Sequence, residues 1–146
     1  MQIGSMVLAF LVGMGLVVQV GLNMAVARSL GGAPVAALVN FLVGTVALSL
    51  MLLIVRPDWP AREQLGAVPW WAWMGGLLGA LYVATATFAG PRIGALLLLA
   101  LTFSGQLIGS MLVDHFGLLG FQQQSISLQK LLGVAMLCVG VILIAR

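Results

Sequence analysis

Charge enters this chain only at the margins of long apolar runs. No Asp, Glu, Lys or Arg occurs in Ile3–Ala27, Pro34–Val55, Pro69–Gly90 or Ile93–Val113, and Leu128–Ala145 holds only Lys130, near its start. A helix of about 20 mostly apolar residues crosses roughly 30 Å of hydrocarbon, so each run is close to the length of a membrane span. Little chain remains outside them. Of the 146 residues, 62% are hydrophobic and 6% charged, whereas a soluble domain carries about 25% charged residues. Such a chain has too few polar groups to cover a water-facing surface, so its solvent is the lipid bilayer. The pattern predicts an all-α integral membrane protein, one domain over 1–146 with five transmembrane helices at about 3–27, 34–55, 69–90, 93–113 and 128–145.

The breaks between runs have their own logic. Ala25-Val26-Ala27 resembles a signal-peptidase site. No Lys or Arg precedes the first run, however, and it is longer than the usual apolar core of about 7–15 residues; a span is expected. Pro34 suits the first turn of a helix, where its missing N–H is not needed. Arg56–Val68 is a polar linker on an aqueous side, and Pro69 opens the third run beside Trp70, Trp71 and Trp73. Clustered indoles there read as the aromatic belt of a membrane interface. Pro91-Arg92 is expected to turn the chain after Gly90. Asp114–Ile126 reads as a connection along the interface, with Phe116, Leu118, Leu119 and Phe121 as its apolar side, and Ser127 as the N-cap of the last helix. Gly75, Gly76 and Gly79 in the third span, and Gly105 and Gly109 in the fourth, have the spacing that lets helices pack closely.

An odd number of spans puts the termini on opposite faces. Arg56, Arg62 and Lys130 then face Arg28, Arg92 and Arg146, three against three. Orientation normally follows an excess of Lys and Arg in cytoplasmic loops. The tie removes that bias, so dual topology and an antiparallel homodimer are expected, two chains supplying what inverted-repeat transporters build from one. The net charge of +3 is a matter of helix-end anchors and does not point to nucleic acid.

Inside the spans polarity is limited to amides, hydroxyls and one phenol. Gln19 and Asn23 are four apart and share a helix face. At about 1.5 Å per residue, Gln19 and Asn40 reach the same depth from the same side, with Tyr82 nearby. Thr102, Ser104 and Gln106 cluster near the middle of the fourth span. Gln19, Asn23, Asn40, Tyr82, Ser104 and Gln106 are therefore the candidate substrate-binding residues. Interhelical hydrogen bonding is the competing role for each. Asp114 and His115, the only Asp-His pair, fall at the rim as a polar stop, with Asp114 pairing with Lys130 or a loop N–H, or as a gate. No nucleophile–base set and no metal-ligand cluster stands out, and the single Cys138 offers neither a disulfide nor a zinc site. An enzyme, a cofactor and a metal are not expected.

Several segments resemble the YdcZ-like inner-membrane transporters, small members of the drug/metabolite transporter superfamily. They are G-L-N-M-A-V-A-R-S-L-G (Gly21–Gly31), N-F-L-V-G-T (Asn40–Thr45), W-M-G-G-L-L-G-A-L-Y-V (Trp73–Val83), G-Q-L-I-G-S-M-L-V-D-H-F-G (Gly105–Gly117) and S-L-Q-K-L-L-G-V (Ser127–Val134). The resemblance implies a bacterial inner-membrane, multi-pass protein similar to one half of a ten-helix transporter. It also implies a small-molecule substrate moved by alternating access, with export the expected direction. Related four-helix multidrug exporters use a first-helix glutamate for protons and cations; this first span offers Gln19 and Asn23 in its place. An accessory membrane protein or a small channel is the alternative.

Overall fold

The computed structural model describes residues 2–146, and among them every regular element is helical. The helices are α1 (Gln2–Leu30), α2 (Ala33–Val55), the short α3 (Arg62–Ala67), α4 (Met74–Ile93), α5 (Ala95–Phe116) and α6 (Leu128–Ile144), with 3-10 turns at Trp70–Trp73 and Leu118–Gly120. Four stretches are long and apolar enough to cross a membrane: Ile3–Leu30, Ala33–Val55, Trp70–Ile93 and Ala95–Phe116. α6 is apolar but shorter, at 17 residues. Burial follows from the solvent. The buried apolar residues are mostly small (Val20, Ala36, Ala37, Val83, Ala86 and Leu98), while the large aliphatic and aromatic side chains face outward. Exposed apolar surface on this scale is stable only against lipid.

The chain divides into two units, Met1–Arg92 and Ile93–Arg146. In the first, α1 and α2 form a tight antiparallel hairpin. Gly31 (φ 100°) and Gly32 (φ 124°) make the turn, in backbone regions that glycine enters without a Cβ penalty. Their N–H groups both bond to the Ala27 carbonyl, at 3.2 and 2.8 Å, which closes α1. Pro34 lies in the first turn of α2, as its ring requires. Ala36 and Ala37 are buried, Ala36 completely (0% exposed), and Ala37 lines a hollow with Leu77, Ala80 and Ala84 of α4. α4 adds a close contact of its own, because a Cβ on Gly79 would stand 3.2 Å from the Phe41 ring of α2.

Several boundaries differ from those read along the sequence: α1 runs past Ala27 to Leu30, and others shift for local reasons. The polar linker is not all loop: α3 forms within it, and the Gln64 side chain accepts from the Ala61 N–H at 2.8 Å, satisfying one N-terminal donor. α4 does not turn at Pro91-Arg92 but carries on to Ile93. Proline there removes one bond in the last turn only, and the Arg92 guanidinium donates to the Phe88 carbonyl while lying 3.6 Å over the Phe88 ring. The break comes instead at Gly94 (φ 80°).

In the second unit α5 runs beyond Val113 to Phe116, so Asp114 and His115 belong to its last turn and not to a connection. Gly117 (φ 60°) ends it in the left-handed conformation. The following segment is held by glutamines. The Gln124 N–H donates to the Asp114 carbonyl (2.8 Å) and the Gln123 side chain to the His115 carbonyl (3.1 Å). Lys130 Nζ donates to Gln124 Oε1 (3.0 Å). Ser127 caps α6 by accepting from the Lys130 N–H at 3.3 Å.

Candidate functional site

Polar groups in an apolar helix must find partners, since lipid supplies none. In the first unit Gln19 Nε2 on α1 donates to Asn40 Oδ1 on α2 at 3.2 Å. The hairpin turn sets this register: with Gly32 bonded to Ala27, each step back along α1 faces a step forward along α2, and position 19 falls opposite position 40. The same register brings Asn23, one turn along α1, to the level of Ala36. Asn23 is only 6% exposed.

The pair does not exhaust its hydrogen-bonding capacity. A primary amide has two N–H donors and an oxygen with two lone pairs, so after one bond Gln19 keeps its oxygen and Asn40 keeps its NH₂. With Asn23 this makes three neutral amides within about one turn, offering donors and acceptors and no charge. Thr87 on α4, 3% exposed, is the other buried polar residue among those described. Its hydroxyl donates to the Val83 carbonyl of its own helix at 2.7 Å. Tyr82, half-buried, is on α4 in the same unit.

The remaining candidates lie in the second unit. Ser104 is half-buried, and its hydroxyl donates to the Ala100 carbonyl at 2.8 Å; Thr102 likewise shares its proton between Leu98 and Leu99. These protons are committed to the helix backbone, a pattern typical of hydroxyls in apolar helices. Gln106 is exposed. His115 is half-buried, its Nδ1 is closed off without a partner, and its ring meets Phe116 edge-on at 4.9 Å. That nitrogen faces no open rim. Asp114 does not pair with Lys130, whose ammonium reaches Gln124; its backbone carbonyl, not its carboxylate, receives the loop N–H. The Gln123 and Gln124 contacts were not anticipated from the triplet, which carries no sequence signal beyond its polarity.

The glycines separate into two kinds. Gly79 is in close contact with Phe41. A Cβ at Gly75, Gly76, Gly105 or Gly109 would meet nothing within 4 Å, so these four do not bring helices together within the chain. Among the described residues no group of three His, Cys, Asp or Glu is placed to hold a metal. The chemistry available is recognition by neutral amides.

A family model described as "Putative inner membrane exporter, YdcZ" matches residues 5–143, nearly the whole chain. No curated protein and no solved structure gives a significant match.

Proposed function

The chain belongs to the YdcZ family of inner-membrane exporters, and on that premise we propose that it exports a small, polar organic solute recognised by the Gln19–Asn23–Asn40 amides. It is a multi-pass inner-membrane protein of an exporter family, not of an enzyme class. One observation carries the proposal: a buried amide, Asn23, beside an amide pair that keeps free donors and acceptors. Amides with hydrogen-bonding capacity left over in a lipid-solvated hairpin are costly unless something polar visits them. Their neutrality favours a solute bound through hydroxyl, amide or zwitterionic groups over a lone cation.

In this reading α6 is the fifth span. At 1.5 Å per residue its 17 residues give about 25 Å, and Lys130 extends to the headgroups as long basic side chains do. Five spans and the charge tie lead to dual topology, and two oppositely inserted copies supply the inverted repeat that alternating access uses. Tyr82, half-buried on α4 of the same unit, is the further residue proposed to line this site. Gly75, Gly76, Gly105 and Gly109 have the open faces that a second copy would fill.

The test is solute flux in proteoliposomes with Asn23→Leu and Asn40→Leu chains. Saturable flux lost in both, with the hairpin still folded, is the expected result; full flux in both removes the amides from the transport path. The bond between Gln19 and Asn40 favours one other reading, that the amides only join α1 to α2 in an accessory protein. In that case no solute in a broad screen shows saturable flux.

A further inference from the structure

We propose that the groove between α5 and α6 binds one phospholipid with an ethanolamine headgroup, its acyl chain in the groove, its phosphate on Lys130 and its primary ammonium on Asp114. Two hollows of about 480 and 300 Å³ lie along these helices and share Leu107, Gly133 and Leu137. They form one groove within the second unit. Its far end, between Ala100 and Ile144, is apolar, and the one hydroxyl there, Ser104, has given its proton to the helix. Its mouth carries Ser110, Asp114 and Lys130. A charged mouth grading into an apolar channel is the polarity profile of a lipid.

Dimensions agree. From Lys130 to Ile144 the groove follows α6 for about 21 Å at 1.5 Å per residue, long enough to take a chain through the roughly 15 Å of one leaflet's hydrocarbon. Asp114 lies in the last turn of α5 and Lys130 in the first turn of α6, where headgroups meet helix ends. The glycines on the α6 wall make the room: a Cβ on Gly133 or Gly140 would touch nothing within 4 Å. They hollow the wall and bring no helix closer.

Charge selects the occupant. Lys130 spends one N–H on Gln124 and keeps two for a phosphate. The Asp114 carboxylate has no ion-pair partner among the described residues. Opposite charges on one mouth, not neutralising each other, match a zwitterion; a purely anionic headgroup would bring its charge against Asp114. A primary ammonium donates hydrogen bonds to a carboxylate, which a choline group cannot.

Native mass spectrometry of the full chain, released from micelles holding equal phosphatidylethanolamine, phosphatidylcholine and phosphatidylglycerol of one acyl composition, tests this. The ethanolamine lipid should be retained about tenfold over the other two, the worth of one charge-assisted hydrogen bond. Asp114→Asn should erase its advantage over the choline lipid, and Lys130→Gln should weaken retention of all three. Gly140→Leu, with Gly133→Leu as a second filling of the groove, should remove bound lipid while the circular dichroism spectrum is unchanged. Equal retention of the three lipids, or a preference indifferent to every variant, overturns the site. So does high-yield disulfide cross-linking between copies through Gly140→Cys in a Cys138→Ser background, which would give the groove to a second chain.

Discussion

The two helical hairpins, α1–α2 and α5–α6, are built from similar materials to opposite ends. In the first, a two-glycine turn brings the helices together, Ala36 is fully buried, and a Gln19–Asn40 hydrogen bond at 3.2 Å joins them partway along. In the second, glycines on α6 hold no neighbour within 4 Å and the helices enclose an open groove. Small residues therefore mean contact in one hairpin and space in the other. In lipid, where apolar burial gives little drive for helix association, packing and hydrogen bonds decide which hairpin closes. The closed hairpin holds its polarity inside; the open one carries charge only at its mouth.

The sharpest way to break this comparison is to place the same large side chain in both. Ala36→Leu should destabilise the chain by about 1–3 kcal/mol, the cost of overpacking a filled site, whereas Gly140→Leu should leave thermal stability in detergent nearly unchanged. Equal effects would mean the hairpins do not differ in packing. Next in size is the turn. Gly32→Ala forces a side chain onto φ 124°, at a cost of about 1–3 kcal/mol for such backbone, visible in the same melting experiment; no loss would mean the turn rearranges freely. The smallest effect concerns the hydrogen bond between Gln19 and Asn40. A double-mutant cycle with Gln19→Leu and Asn40→Leu should return a coupling of about 0.6 kcal/mol, the average for such bonds in membranes. A coupling of zero would leave the turn alone to close the hairpin.

The membrane class was legible because hydropathy integrates over twenty residues and tolerates local error. The Gln19–Asn40 contact could be anticipated from depth alone, since a two-residue turn leaves little freedom of register. Helix ends were less legible. Pro91 reads as a stop, yet a proline so near a helix end costs only the bond to the Thr87 carbonyl, and α4 runs on to Ile93. Asp114 reads as the end of a span, but one turn of helix continues until Gly117 can adopt positive φ. The glycine motifs are the least specific pattern. Spacing says only that a backbone is bare on one face, and whether a neighbour comes to it is decided by tertiary placement, as Gly79 and Gly105 demonstrate. Gln123 and Gln124 were invisible as fasteners because an amide that folds back on a helix end looks in sequence like any polar loop residue.

The turn at Gly31–Gly32 has a consequence for how the protein enters the membrane during synthesis. Only these two residues separate Leu30 from Ala33, too few to form a loop that could wait on one side while its neighbours are sorted. With no loop between them, the first two helices are expected to enter the bilayer as a pair, one orientation serving both. Lengthening this turn with a flexible insert would uncouple the two, turning one insertion event into two.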